Sequence, residues 1–401
     1  MRRFVFVIHY PVYGGPHNQA VRLAGPLRDR GWDTVVVLPD EAGNAAERLQ
    51  AAGVETLAIP IGRIRATRSL MTHLRLARDF PGDVRRIASV IGSQDADLAL
   101  IGGLHNSQGA LAARRAKRPI VWQILDTNSP MPFRRLAMGA VTRLADVVMS
   151  TGCEVARAHP GALALGDRLV PYLPPVDIDE FVPDPGRRAA ARTELGLEPS
   201  DLVVGTVNNL APMKGHLTFI RAAARLRRQR PHVRFALLGA AAEHRSDYTR
   251  MLFDEAESLG LRLGSELLVV DPGSRVPQLA PALDLFWLTS EPRSEGVPTT
   301  VEEAMALGIP VVAANVGGVS EIVHDDETGS LVPPRDPEAL VEATLPLLDD
   351  AERRRRMGEA ARLRAVADFN LDRCADAHVM AFERAIAHRA TRRRRGRKSE
   401  S

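Results

Sequence analysis

The chain of 401 residues is 45% hydrophobic and 25% charged, ordinary values for a folded globular protein and enough for two or three domains. That excludes a single small module and a disordered chain. Lys and Arg outnumber Asp and Glu by 53 to 49, so the net charge of +4 singles out no nucleic-acid partner.

The first apolar run, FVFVI (4–8), stops at His9 and reads as a strand, not as the core of a signal peptide. TVVVL (34–38), LALI (98–101), IVWQIL (120–125) and VVMS (147–150) follow, each rich in Val, Ile or Leu as strands buried on both faces are. Segments 19–30 and 69–90 read as helices. This alternation predicts a doubly wound sheet that binds ligands outside the carboxyl ends of its strands. Next, VPYLPPVDIDEFVPDPG (170–186) carries Pro171, Pro174, Pro175, Pro183 and Pro185, which deny the backbone regular hydrogen bonding and mark a boundary. Alternation restarts with LVVGTV (202–207), a helix over 216–228, FALLG (235–239), ELLVV (266–270), LFWLT (285–289) and PVVAA (310–314). The expected organisation is a Rossmann-like domain over 1–170, a linker over 171–186 and a second Rossmann-like domain over 187–370. A helix over 371–391 and a basic disordered tail over 392–401 complete it. No run reaches 18 apolar residues, so no membrane span is predicted. Cys153 and Cys374 lie far apart without metal-ligand spacing, so neither a disulfide framework nor a zinc site is implied, which fits a reducing cytosol.

The most informative segment is SEPRSEGVPTTVEEAMALGIPVVAANVGGVSE (290–321). It leaves a strand and passes through Gly296 and Pro298 into a helix expected to start near Thr299 or Thr300 and end at Gly308. The first amides of such a helix lack intrahelical partners and form an anion site. Glu295 before the helix and Glu303 within it can accept hydrogen bonds from the hydroxyls of a sugar and a ribose. Thr300-x-x-Glu303 and Thr299-x-x-Glu302 also spell capping boxes, but capping leaves Glu295-Gly296 and the return through GGVSE (317–321) unexplained.

With seven residues between Glu295 and Glu303, followed by EAMALGIPVV (303–312) and GGVSE, the segment resembles the retaining nucleotide-sugar glycosyltransferases of family four. The resemblance implies the α/β GT-B fold, two Rossmann-like doubly wound parallel-sheet domains facing across a cleft. Other stretches resemble the family in the same order. YGGPHNQA (13–20) matches its glycine turn at Gly14 and Gly15, and PPVDIDEFVP (174–183) its interdomain stretch. VGTVNNLAPMKGH (204–216) matches its diphosphate-binding loop with Lys214, although Asn209 stands where the family has arginine. IGGLHNSQ (101–108) brings His105 to the loop histidine placed near the transferred sugar. The implied catalytic residues are Glu295, His105 and Lys214. The implied donor-binding residues are Gly14, Gly15, Asn209, Lys214, Glu295, Gly296, Val297, Pro298, Thr299, Thr300 and Glu303. Asp126 receives no role, and His17 and His216 read as exposed polar fillers beside motif loops.

The expected reaction is transfer of a hexosyl group from a nucleotide-diphosphate sugar, UDP- or GDP-linked, to a hydroxyl acceptor on a glycan, a lipid-linked carrier or a small molecule. Configuration is retained, and neither a cofactor nor a metal is expected, because no acidic cluster suits a diphosphate-bound cation. Another GT-B nucleotide-sugar enzyme (an epimerase or phosphorylase) and a catalytically idle sugar-nucleotide binder, suggested by Asn209, stay as alternatives. A glycosidase would set both carboxylates about one bond, whereas here they share one loop and helix. A nicotinamide dehydrogenase is excluded because no G-x-G-x-x-G follows the first strand.

The small net charge hides segregation: 22 basic and 14 acidic residues in 1–170, then 25 basic and 34 acidic in 171–391. Residues 61–90 hold seven arginines against two acids, interleaved with Ile64, Leu70, Met71, Leu74 and Leu76. Basic and apolar residues on one helix can dock on an anionic membrane surface, helped by Arg392–Arg395, Arg397 and Lys398. The expectation is a cytoplasmic protein, peripheral at the inner face of a membrane and with no specific nucleic-acid partner. Solvated arginines and docking of the oppositely charged halves are the plainer accounts.

Overall fold

In the computed structural model, residues 1–63, 69–240 and 246–399 are described; Ile64 and the terminal Glu400 and Ser401 lie outside them. The chain divides into two units, Met1–Pro175 with Leu371–Ser401, and Val176–Asn370.

Seven strands form the sheet of the first unit: β1 (Arg2–Val7), β2 (Trp32–Pro39), β3 (Glu55–Ile59), β4 (Leu98–Gly102), β5 (Ile120–Ile124), β6 (Val147–Thr151) and β7 (Leu169–Tyr172). Their order is β3-β2-β1-β4-β5-β6-β7, every pair parallel. Successive side chains of a strand point to opposite faces, so Phe4 and Phe6 enter one core while Val5 and Val7 enter the other. The long C-terminal helix (Leu371–Ser399) closes the first of these cores with Cys374, Ala375, Ala381, Phe382 and Ala385. Its Phe382 ring centre lies 4.8 Å from that of Phe4 and 5.0 Å from that of Trp32. Under the same helix, the buried His378 donates through Nδ1 to the Cys374 carbonyl at 2.8 Å, which leaves Nε2 to accept from the amides of Gln19 (2.6 Å) and Gln123 (3.2 Å).

The second unit holds β8 (Leu202–Val207), β9 (Val233–Leu238), β10 (Leu267–Val270), β11 (Leu285–Leu288), β12 (Val311–Ala314) and β13 (Gly329–Val332). All are parallel, in the order β10-β9-β8-β11-β12-β13. Trp287 anchors its core against Phe219 (5.2 Å) and Phe235 (6.0 Å) and satisfies its indole N–H on Thr344 Oγ1 at 2.8 Å. Both units are thus Rossmann-like, and their orders reverse direction at β1/β4 and at β8/β11, the switch points where open α/β sheets bind ligands.

Several sequence expectations need correction. The proline-rich stretch is not an irregular linker throughout. Pro171 lies in β7, an edge strand, where a missing N–H costs no ladder bond. Pro185 is the first residue of a helix (Pro185–Glu194) capped by Asp184, whose carboxylate accepts from the Arg187 amide at 2.9 Å. The basic tail is helical as far as Ser399, since arginine is a good helix former and extension from packed turns is inexpensive.

Candidate active site

Two loops leave the switch point of the second unit. After β8 the chain passes Asn209, which is exposed, and reaches Lys214 in a short turn (Pro212–Lys214). After β11 it runs through Ser290 to Glu295 and into the helix Thr299–Ala306. The loops are bolted together: the Thr289 hydroxyl donates to the Lys214 carbonyl at 3.0 Å, and the Glu291 amide donates to the Met213 carbonyl at 2.9 Å. Gly215 makes this approach possible. Its φ is +67°, and a Cβ there would stand 1.8 Å from the Thr289 carbonyl oxygen.

The result is a charged cluster on a buried floor. Lys214 Nζ lies 2.7 Å from Glu295 Oε1, and the fully buried Ser290 donates its hydroxyl to the same oxygen at 2.6 Å. Glu295 is 6% exposed and therefore held in one place, while Lys214 is half-buried. The return segment seals the other side. The Gly318 amide donates to the Gly296 carbonyl at 2.7 Å, and a Cβ on Gly317 would meet the Glu295 and Gly296 carbonyl oxygens at 2.6 and 2.7 Å.

The helix start differs from both capping boxes. Its N-cap is Pro298, with no side-chain capping bond, so Thr299 and Thr300 are its first two residues. Their amides have no partner inside the helix and carry the positive end of its dipole. Glu303, 8% exposed, sits two positions after Val301 on that helix. Lys214, Glu295, Gly296, Val297, Pro298, Thr299, Thr300 and Glu303 therefore belong to one corner of the second unit, with Asn209 at the tip of the neighbouring loop. Among the described residues, no group of three or more His, Cys, Asp and Glu side chains could hold a metal ion.

Gly14, Gly15 and His105 belong to the first unit. Gly14 caps the helix Gly15–Asp29 in extended conformation, and a Cβ on either glycine would meet nothing within 4 Å. No internal contact requires glycine there, so open backbone is what the pair provides. His105, after β4, stacks on Phe133 at 4.6 Å with Nε2 3.3 Å from the Ser129 hydroxyl; burial lowers its pKa, opposed by Asp126. Asp126 accepts from the Asn128 amide at 2.9 Å, a local turn.

His17 and His216 are buried rather than exposed. His17 accepts the Gly14 N–H on Nδ1 (3.1 Å) and donates from Nε2 to the Tyr10 carbonyl (3.0 Å), so it shapes the glycine turn. Sequence reasoning assigned no role to Ser290 or to His9, two residues beyond the end of β1. His9 donates through Nδ1 to the Gly102 carbonyl at 3.1 Å, and its ring lies 6.2 Å from that of His105. Burial, then the proximity of His105, lowers its pKa to about 4.

Both units match known families: residues 14–172 the glycosyl transferase 4-like domain, and residues 187–364 the glycosyl transferases group 1. A GDP-mannose-dependent alpha-(1-6)-phosphatidylinositol monomannoside mannosyltransferase of Mycolicibacterium smegmatis is 31% identical over 298 residues, 70% of this chain and 75% of that protein. A D-inositol 3-phosphate glycosyltransferase of Nocardia farcinica is 37% identical over 248 residues, 61% of this chain; the match spans only 53% of that relative. Among solved structures, Anabaena HepE in complex with UDP and glucose superposes with a TM-score of 0.79 at 23% identity, over 96% of this chain and all of that one. Sucrose-phosphate synthase from Thermosynechococcus elongatus gives 0.76 at 20% identity, over 96% and 100%. These two likenesses establish the fold. With glycosyl transferase families matching both Rossmann-like units and a relative 31% identical across three quarters of its length, the chain belongs to the group 1 glycosyl transferases and has the GT-B fold.

Proposed function

We propose that the protein is a retaining glycosyltransferase that moves a hexosyl group from a UDP- or GDP-sugar to a hydroxyl acceptor, without a metal. The observation that carries this reading is the corner at β8/β11, where an uncapped helix start, Lys214 and the Glu295–Ser290 pair converge.

A nucleotide diphosphate is an acidic leaving group, so the protein needs to stabilise charge developing on it rather than supply a strong acid. Lys214 and the amides of Thr299 and Thr300 do this; Asn209 adds hydrogen-bonding capacity without charge. Glu295 holds hydroxyls of the donor sugar and Glu303 those of the ribose, with Gly296, Val297 and Pro298 fixing the turn between them. The acceptor hydroxyl attacks the face the leaving group departs from, and the leaving phosphate takes its proton, so no protein nucleophile is used. In the first unit, the family resemblance assigns Gly14 and Gly15 to donor binding and His105 to the transferred sugar. The relatives named for GDP-mannose with phosphatidylinositol monomannoside, and for D-inositol 3-phosphate, support a donor and an acceptor of those classes. We further propose a place in cell-envelope glycan synthesis, with the protein cytoplasmic and peripheral at a membrane.

The test is incubation with UDP- and GDP-sugars, with and without chelator, following release of the nucleotide diphosphate. Release that chelator does not abolish is expected. Lys214→Ala and Glu303→Gln should each reduce it by at least ~100-fold with the fold intact, the scale of losing one preorganised transition-state donor. Near-normal turnover in either variant would refute this donor site. Asn209→Arg should keep or raise activity. Donor binding without turnover in every variant would favour the idle binder instead.

A further inference from the structure

The strongest feature outside this corner lies at the opposite ends of the strands in the first unit. Where the chain enters β5, β6 and β7, a cavity of about 640 Å³ is lined by Arg114, Arg143, Arg168, His388 and Arg392. One carboxylate sits beside it, the fully buried Asp146, with Oδ1 3.3 Å from His388 Nδ1 and 4.0 Å from an Arg392 nitrogen. Its other oxygen accepts the Ile120 amide at 3.0 Å and is spent on holding β5 in place.

Taken singly, the cations have local explanations. Arg114 and Arg143 close the helices Ser107–Arg115 and Met131–Leu144, where the dipole favours positive charge. Arg168 donates to the carbonyls of Thr142, Ala145 and Asp146 at 2.6–3.2 Å. Their convergence is a different matter. Four arginines face one carboxylate and about half a negative charge from each of two helix ends, which leaves about two positive charges on one cavity. The crowding is felt within the protein, since burial and then the neighbouring Arg392 lower the Arg168 pKa.

We infer that this cavity is a second anion site, which binds a multiply charged phosphate-bearing group between Arg114, Arg143 and Arg392, with Arg168 as its fixed wall. Arginine forks match phosphate oxygens in pairs, and a doubly negative group would neutralise the excess charge. The site stands apart from the proposed donor corner, which belongs to the other unit, and does not depend on it. A free phosphorylated metabolite and a lipid headgroup share this chemistry.

Inorganic pyrophosphate is the probe, titrated calorimetrically into the full chain and into Lys214→Ala, which weakens the donor corner alone. The variant Arg114→Glu/Arg143→Glu spares the structural Arg168; unchanged circular dichroism melting verifies its fold, and Arg143→Lys keeps the charge. A binding class that survives Lys214→Ala, weakens by roughly tenfold or more in the double variant and weakens less in Arg143→Lys, which keeps the charge but loses the fork, is expected. Phosphatidylglycerol-containing vesicles separate the two sources. If a headgroup is the occupant, vesicle binding falls in the double variant and pyrophosphate displaces it; if a free anion is, vesicle binding is unchanged while pyrophosphate binding falls. Pyrophosphate and vesicle binding both unaltered in the double variant, or a single pyrophosphate class that vanishes with Lys214→Ala, overturns the proposal.

Discussion

Gly215 and Gly14 show two uses of the same residue. At Gly215 the left-handed φ and the Thr289 carbonyl leave no room for a side chain, and the Lys214–Glu295 contact depends on that closeness. Gly215→Ala is expected to cost at least ~2 kcal/mol, since the strained φ alone accounts for about 1–3 kcal/mol and the clash adds to it. Denaturant unfolding would measure this, and a loss below about 0.5 kcal/mol would mean that the two loops are free to separate. Such close approaches are invisible in a sequence. Lys214, Glu295 and Glu303 could be picked out because their spacing and flanking residues form a motif. Ser290 could not, because a serine that ends an apolar strand is commonplace until its hydroxyl is seen 2.6 Å from a buried carboxylate.

At the scale of elements, the central strands were legible because burial on both faces leaves an apolar run with no polar phase. β3, β7 and β13 were not. They lie at or next to the sheet edges, and ETLAI, LVPY and GSLV contain a charge, a proline or a glycine. The helix expected over 69–90 runs Leu70–Ser93 and starts on Ser69, whose hydroxyl accepts from the Thr72 amide at 3.3 Å. Met71 and Leu74 on it are 60% and 54% exposed, beside the exposed Arg75 and Arg78. No helix among the described residues is long and apolar enough to cross a membrane. The proposal for this helix is surface docking, with apolar side chains inserted and arginines at the headgroups. Met71→Ser/Leu74→Ser should weaken co-sedimentation with anionic vesicles several-fold, at about 0.8 kcal/mol per buried CH₂ withdrawn; equal sedimentation with neutral and anionic vesicles would remove the idea.

Across the whole molecule, buried neutral histidines set the response to acid. Burial lowers His9, His17, His216 and His378 from the ordinary 6.5 to about 4. Between those values the unfolded chain binds protons that the folded chain refuses, so stability falls as pH drops from about 6.5 toward about 4. Three of the four lie in the first unit and only His216 in the second. Acid should therefore loosen the first unit sooner. Hydrogen exchange at pH 7 and pH 5, corrected for intrinsic rates, should show earlier loss of protection in β1–β7 than in β8–β13, and simultaneous loss would contradict this. His378→Leu should lessen the difference, because it removes the proton acceptor most deeply enclosed beneath the C-terminal helix.

That helix has a further consequence for the birth of the protein. Val176–Asn370 is one continuous stretch that can fold as soon as it clears the ribosome, whereas the first unit is interrupted by it. Phe4, Phe6 and Trp32 wait for Phe382, nearly four hundred residues downstream, to cover them. The half synthesised first is thus the half completed last. Until Leu371–Ser399 has emerged, its apolar face lacks that cover, and a ribosome stalled between Asn370 and this helix would hold a finished second unit attached to an unfinished first.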